Sequence, residues 1–329
     1  MAAATTLGKM RLSLGETVRR VARPVARRLG IGAAMVLVVL TGFYLFAALT
    51  PDPQLASMLY GMQMHSSGSV DVSGTVARYN QAHGYDRPLY VRYLAWLGQI
   101  LTLHWGYSAS QGAPVMDLVR AASARTLAYL LPAVACSTVV GVSAGVYAAL
   151  RKGSLAERAE TAAAYVAFGL PNFYLAIVLT TALPALGGAA VVAALPESAL
   201  PALVVAVTLL AGQLHYARTE AGRFADAEFA KLKRAQGAPR RVVARHVLRV
   251  AAAPLSSALL SEYLGVLVVD VFVIEQVFGI RGLGSLGLEA VERQDTPLML
   301  SILLFVVLVG VAISVLQDVT DAILDPRVE

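Results

Sequence analysis

The chain has 329 residues, of which 57% are hydrophobic and 15% charged, with a mean hydropathy of +0.65 and a formal charge of +6. Soluble globular domains carry about a quarter charged residues, so this composition excludes a water-soluble domain and marks an integral membrane protein. The single cysteine, Cys136, lies in an apolar run, which excludes a disulfide framework or cysteine metal site and leaves it as a small packing residue.

Residues 1–30 are basic, carrying Lys9, Arg11, Arg19, Arg20, Arg23, Arg27 and Arg28. Ile31–Leu49 is a continuous apolar run that as a helix spans about 28 Å, close to the hydrocarbon core of a bilayer. It is longer than a signal-peptide core and further spans follow, so it reads as a retained anchor. Thr50–Thr126 is polar and mixed, with Ser66–Ser73 a Ser/Gly-rich flexible loop. Tyr85–Leu103 turns amphipathic: Leu89, Tyr93, Trp96, Leu97 and Ile100 share one side of a helix. Its Tyr and Trp suit a helix at the outer interface, and a small packed helix in the extracytoplasmic segment fits equally well.

Further spans are expected near Ala128–Leu150, Ala162–Leu186, Leu200–Tyr216, Pro254–Val277 and Leu298–Val319, six in all with the first. Pro171 kinks or breaks the third, and Gly187–Ala199 is the short connection that follows it. The fold class is an all-α integral membrane protein with six transmembrane helices, a helix-turn-helix loop in the cytoplasm and an extracytoplasmic segment after the first span. With the N-terminus inside, segments 1–30, 151–161, 218–250 and 320–329 hold 20 of the 27 Lys and Arg residues, which places both termini in the cytoplasm.

Arg218–Val250, between the fourth and fifth spans, holds nine basic residues against Glu220, Asp226 and Glu228. It reads as helix, break, helix. Phe224, Phe229, Leu232 and Ala235 share an apolar stripe of the first helix. Gly237 suits a left-handed helix end, and Pro239 suits the first turn of the second helix, where Val243, Val247 and Val250 line one side.

Two glycine patterns invite a chemical reading and lose it in context. Gly141-Val-Ser-Ala-Gly145 fits a hydrolase nucleophile elbow but sits inside an apolar helix with no strand before it, so it reads as a small-residue face for close helix packing. Gly282-Leu-Gly-Ser-Leu-Gly287 fits a dinucleotide loop but has no βαβ unit around it. No G-x-x-x-x-G-K-[ST] sequence occurs, so ATP, if used, is bound by another subunit. Glu262, Asp270 and Glu275 fall in or near the fifth span, where carboxylates face a cavity or a partner. Glu262 and Asp270 are about 80° apart on a straight helix and so share a face, lining a translocation path or pairing with a neighbouring helix. Glu275 reaches the outer interface.

The loop sequence EFAKLKRAQGAPRRVVARHVLR resembles the cytoplasmic loop of ABC-importer permeases of the dipeptide, oligopeptide and nickel branch. Other segments resemble that family in its order and spacing: Thr50-Pro-Asp-Pro53, Asp86-Arg-Pro-Leu89, Tyr93-Leu-Ala-Trp-Leu97, His104-Trp-Gly-Tyr-Ser108, Gly145-Val-Tyr-Ala-Ala-Leu-Arg-Lys-Gly-Ser154, Leu170-Pro-Asn-Phe173, Glu275-Gln-Val-Phe278, Gly282-Leu-Gly284, Asp295-Thr-Pro297 and Asp325-Pro-Arg327. The sequence departs where Lys233 replaces a small residue, Val250 an Asn and Arg281 a Pro.

The resemblance implies one permease subunit of a multi-pass importer in the cytoplasmic membrane. It divides the chain into a cytoplasmic N-terminus (1–30), a first span (31–49), an extracytoplasmic segment (50–127), a permease core (128–319) with the coupling loop at 218–250, and a cytoplasmic C-terminus (320–329). The partners it implies are a second homologous permease chain, two ATPase subunits that carry ATP and Mg, an extracytoplasmic substrate-binding protein and membrane lipid, with no nucleic acid. This chain would bind no cofactor or metal and catalyse no reaction. On the same resemblance Glu228, Phe229, Ala235, Gly237, Arg241, Arg245 and His246 meet the ATPase. The alternative class is a proton-coupled secondary transporter using the fifth-span carboxylates, weighed down by the absence of an obvious inverted repeat.

Overall fold

A computed structural model describes residues 14–50, 53–65, 71–82 and 84–324. The expectations for Lys9 and Arg11, for the side chains of Arg19, Arg20 and Arg23, for Pro51 and Asp52, for residues 66–70 and for Asp325–Arg327 lie outside the described residues.

Six helical stretches are long and apolar enough to cross a bilayer: Val25–Phe46, Val115–Ala149, Asn172–Ala194, Ala199–Ala225, Arg240–Phe278 and Thr296–Asp321. The only strands among the described residues are the two-residue pair Tyr107–Ser108 and Ala113–Pro114. Hydropathy therefore located the spans, and their ends moved. The third begins ten residues later than expected, because the chain leaves helical geometry at Leu170 and Pro171 (ψ 117° and 133°) and starts again at Asn172. Proline disfavours the helical conformation in the residue before it, so Leu155–Gly169 is a separate helix, α6, and Asn172–Leu183 is α7. The expected connection Gly187–Ala199 is mostly helix: a π-helical turn at Pro184–Gly188, bent at Gly187 (φ 93°), continues into α8, Ala189–Ala194.

The chain divides into two units. The first comprises the described residues of Met1–Ala33, Ala122–Ser285 and Val306–Glu329. Its central helices are α5 (Val115–Ala149), α9 (Ala199–Ala225) and α11 (Arg240–Gly265), the last extended by a π-helical turn at Val266–Asp270 into α12 (Val271–Phe278). Tyr129, Val204, Leu209, Val266, Val271 and Ile274 form one buried cluster. A second, at the ends of α5 and α9, holds Val146, Ala149, Ala221, Ala230, Val243 and Val247.

The small-residue face anticipated at Gly141 and Gly145 is where α5 meets α9. A methyl on Gly145 would stand 2.5 Å from the Leu214 carbonyl and 2.7 Å from the Ala217 Cβ. Cys136, expected to pack inside, is exposed instead, because α5 turns that side away from its neighbours in the chain. The last helix, α14 (Thr296–Leu324), is tied to the first, α1 (Leu14–Leu49): Arg28 grips Asp318 with two bonds of 2.9 and 3.0 Å. Asp321 of α14 accepts from Ser257 of α11 at 3.1 Å.

The second unit is Ala34–Ala121 with Leu286–Phe305. Within Thr50–Thr126, expected to be polar and mixed, the structure has α2 (Pro53–His65) and α3 (Val72–Ala82). Asp71 caps α3 by accepting from the Gly74 amide at 2.8 Å, so the supposed loop 66–73 already becomes helix at Val72. The amphipathic helix is α4, Leu89–Leu101. It is packed, with Tyr93 bonded to the Thr41 hydroxyl at 2.7 Å and Tyr93 and Trp96 against Tyr44. Leu89 points outward and Ile100 inward. Trp105 then donates to the Ile100 carbonyl at 3.2 Å, and the strand pair positions Ser108.

Candidate functional site

The polar stretch between the fourth and fifth spans folds as helix, break, helix. α9 runs to Ala225, Asp226 leaves it, and Ala227 is extended (ψ 154°) before α10, Glu228–Ala235. Glu228 opens this short helix and Lys233 and Arg234 close it, each sign facing the favourable end of the helix dipole. Gly237 then takes φ 75°. The Ala238 amide reaches back to the Lys233 carbonyl and the Gly237 amide to that of Arg234, both at 3.0 Å, which is the paired closure of a Schellman motif. Pro239 is extended and its carbonyl accepts the first bonds of α11, so it precedes the helix rather than forming its first turn.

The packed faces differ from the expected stripes. Phe224 belongs to α9, and on α10 it is Ala230, with Phe229 half-buried beside it, that faces the core. Leu232 is 58% exposed and Ala235 is exposed too. On α11 the buried side is Val243, Val247, Ala251, Leu255 and Leu259, a repeat of four, while Val250 is 47% exposed. The apolar stripe is therefore not the packed face: α10 meets α5 and α11 through Ala230 and Phe229, and Leu232 and Ala235 stay outside. Of the seven residues assigned to the loop site, Glu228, Ala235, Gly237, Arg241, Arg245 and His246 are exposed together on the outcrop, whereas Phe229 holds it from inside. Leu232 was missed as a surface residue.

Two ion pairs anchor the outcrop. Ser154 caps α6 and accepts from the Glu157 amide at 3.1 Å, and Glu157, 6% exposed, pairs with Arg218 of α9. Ser154 and Glu157 stand at capping-box spacing, so the local signal was in the sequence. Lys152 bonds Asp226 at 2.8 Å, and this hydrogen bond, reinforced by the ammonium charge, holds the Asp226 carboxyl below the usual carboxylate range.

The fifth-span carboxylates separate into different roles. Glu262 is half-buried against Gly212 of α9, where any side chain would collide with its carboxylate, and Gln213 hydrogen-bonds it. Gln213 is fully buried and also reaches the Tyr263 hydroxyl, which bonds Thr138 at 2.6 Å. One oxygen of Gln213 and one of Glu262 are buried with no hydrogen-bond partner among the described residues. Asp270 is half-buried and takes the Asn172 side chain of α7 as its partner. The two acids thus meet different helices. Straight-helix arithmetic fails because the π-helical turn at Val266–Asp270 lies between them.

Glu275 does not reach an interface. It is 0% exposed. Thr126 donates to it at 2.6 Å, Tyr129 at 3.2 Å and the Ser285 amide at 2.9 Å, with the Gly284 amide a further donor. A methyl on Gly282 would collide with the Glu275 carboxylate and the Thr126 hydroxyl, and one on Gly284 would stand 2.7 Å from the Phe272 Cα. The Gly282–Gly287 pattern is therefore the start of a helix, α13 (Leu283–Glu292), whose entry at Gly282–Ser285 is close-packed on a buried acid.

A family model described as binding-protein-dependent transport system inner membrane component matches residues 141–329. The metal-staphylopine import system permease protein of Staphylococcus aureus is 24% identical over 312 residues, covering 92% of this chain and 97% of the relative. The oligopeptide transport system permease protein of Bacillus subtilis is 27% identical over 267 residues, 76% of this chain and 83% of the relative. The dipeptide transport system permease protein of the same organism is 26% identical over 253 residues, with 74% and 80% covered.

Proposed function

Since this chain belongs to the inner membrane components of binding-protein-dependent transport systems, and is thus a permease subunit of an ABC importer and not itself an enzyme, we propose that it moves peptides across the cytoplasmic membrane by ATP-driven alternating access. The observation that carries the reading is the exposed α10–Gly237–α11 outcrop, built on two ion pairs at the ends of the spans and inside the matched region. Glu228, Leu232, Ala235, Gly237, Arg241, Arg245 and His246 are the surface through which a separate ATPase acts, with Phe229 transmitting from beneath. Peptide is the substrate class because several relatives carry peptide-transport names, the Bacillus subtilis oligopeptide and dipeptide permeases among them. The Staphylococcus aureus relative keeps a metal chelate in view as another cargo.

The other subunits are a second homologous permease chain, two ATPases that bind ATP and Mg, and an extracytoplasmic binding protein. Both termini and the loop 218–250 lie in the cytoplasm, following the basic residues. The functional division stays at 1–30, 31–49, 50–127, 128–319 and 320–329. Glu262 and Asp270 line the path: each is half-buried, and Glu262 keeps an acceptor oxygen free. Proton coupling in a secondary transporter is disfavoured by the family match, and Glu275 is already committed to four donors.

Purification of the tagged chain with its ATPases, followed by uptake of labelled peptide into reconstituted vesicles supplied with binding protein and ATP, tests the proposal. Uptake without ATP, or no ATPase in the purified complex, would sink it. In the same assay Asp270→Asn removes Asp270 from the path if uptake and assembly are both unchanged.

A further inference from the structure

A cavity of about 410 Å³ opens beside the outcrop, lined by Ala149, Leu150, Arg151, Lys152, Ser154, Asp226, Arg234 and Arg240. It joins the end of α5, the cap of α6, the C-terminal turn of α10 and the first residue of α11. Four cations and one carboxylate face it, and that carboxylate, Asp226, is taken by Lys152 at 2.8 Å. Arg151, Arg234 and Arg240 are left with no ion pair within 4 Å among the described residues. Arg151 stacks on the Tyr147 ring at 4.2 Å, and its buried Nε has no hydrogen-bond partner among the described residues. Buried donors of this kind are normally satisfied. The first turn of α11 also has no side-chain cap, so its amide donors and positive dipole end stand at the edge of the same cavity.

We propose that this cavity is a binding site for a phosphate-bearing anion. Guanidinium forks match the oxygens of a phosphate in pairs, and clustered arginines without a counter-ion repel each other until an anion joins them. The volume falls in the small-ligand range, with room for a phosphate and a glycerol-sized substituent. An occupant would tie the α5–α6 turn to α10 and α11, and so hold the outcrop on the body of the chain. The phosphate can come from an anionic lipid headgroup or from solution. The inference does not depend on the coupling role of α10.

The test uses the full chain alone in nanodiscs, with thermal unfolding as the readout. One arm compares phosphatidylcholine bilayers with and without phosphatidylglycerol. The other adds inorganic phosphate to phosphatidylcholine nanodiscs against sodium chloride of equal ionic strength. A rise in melting temperature in the first arm identifies a headgroup, and a rise in the second a soluble phosphate. Arg234→Gln with Arg240→Gln should lose most of the rise, and Arg240→Gln alone part of it. These side chains are exposed and unpaired, so the variants should unfold like wild type in neutral lipid without phosphate. Arg223→Gln with Arg249→Gln removes the same charge outside the cavity and should keep the rise. The proposal is overturned if neither source raises the melting temperature. It is also overturned if the Arg234/Arg240 variant keeps the rise, or if the Arg223/Arg249 control loses it equally.

Discussion

Ser108 donates a 2.6 Å hydrogen bond to Asp295 across 187 residues of chain. Asp295 also accepts from the Ser110 hydroxyl at 2.7 Å and the Ser110 amide at 2.9 Å, and Arg293 donates to the Ser110 carbonyl at 3.2 Å. Two segments singled out in the sequence as family-like, His104–Ser108 and Asp295–Pro297, are thus one latch. Burial pushes the Asp295 carboxyl up, but the serine hydroxyls and amides outweigh it and hold it below the usual range. A carboxylate whose folded pKa is depressed contributes stability that is complete above its unfolded value of about 3.9 and is lost as pH falls through the folded value. Thermal unfolding in detergent should therefore weaken below about pH 4 in the wild type. Asp295→Asn should cost about 2 kcal/mol at neutral pH and flatten that acid dependence. A variant that melts like the wild type at neutral pH would mean the latch contributes nothing.

Glu275 should be the most sensitive carboxylate in the fifth span. Truncation leaves the Ser285 amide and the Thr126 hydroxyl buried without their acceptor, so Glu275→Ala should destabilise by about 3 kcal/mol or more. Glu275→Gln keeps the shape but turns one acceptor into a donor, and should lie between. Folded yield by size-exclusion of detergent-solubilised protein ranks the three. Equal yields for wild type and Glu275→Ala would show the network to be dispensable.

Gly145 is fixed by backbone rather than by conformation. The atoms nearest to an added methyl include the Leu214 carbonyl and the Arg218 amide, at 2.5 and 2.9 Å, neither of which can move without shifting α9. Gly145→Val should cost about 3 kcal/mol, at the top of the overpacking range. Gly141→Ala should be milder, since its nearest neighbour is the Gln213 Cβ at 3.0 Å. Melting temperatures of the two variants check the order, and a Gly141→Ala that melts below Gly145→Val reverses it.

Apolar length, glycine pairs and the Gly237–Pro239 break were legible because each is a local physical constraint. What was hidden depended on tertiary partners or on helix phase. Thr126, 149 residues before Glu275, is what makes that acid buried rather than interfacial. The π-helical turn at Val266–Asp270 altered the register that placed Glu262 and Asp270 on one face. Pro171 read as a kink or a break in one apolar run; it is a break, and the Ala-rich segment before it forms its own capped helix. Leu232 and Val250 look like core by hydrophobicity and are surface because they lie off the packed faces, which run through Ala230 on α10 and Val243, Val247 and Ala251 on α11.

Orientation is open to chemical labelling. In a Cys136→Ser background, Ala235→Cys places a thiol on the exposed end of α10. If the basic segments are cytoplasmic, a membrane-impermeant maleimide should label it in inside-out vesicles and leave it untouched in intact cells. Labelling from outside intact cells would invert the proposed topology.

Gly237 separates a coupling element from a solvated loop. Its φ of 75° lies where a side chain is strained, at a cost of roughly 1–2 kcal/mol. Apart from its chain neighbours, no described residue has an atom within 4 Å of the position a Cβ would take, so a larger side chain collides with nothing among the described residues. The strain falls on a loop outside the spans, and insertion and overall folding should survive. Any further penalty must come from a partner that approaches the outcrop closely. Gly237→Val should therefore insert normally and bind its ATPases weakly, with poor ATP-driven uptake, and Gly237→Ala should show a smaller loss of both. A merely solvated basic loop predicts wild-type values for the two variants. ATPase co-purification and uptake in reconstituted vesicles decide the matter: a Gly237→Val permease that retains its ATPases and transports at the wild-type rate would remove the outcrop from the coupling path.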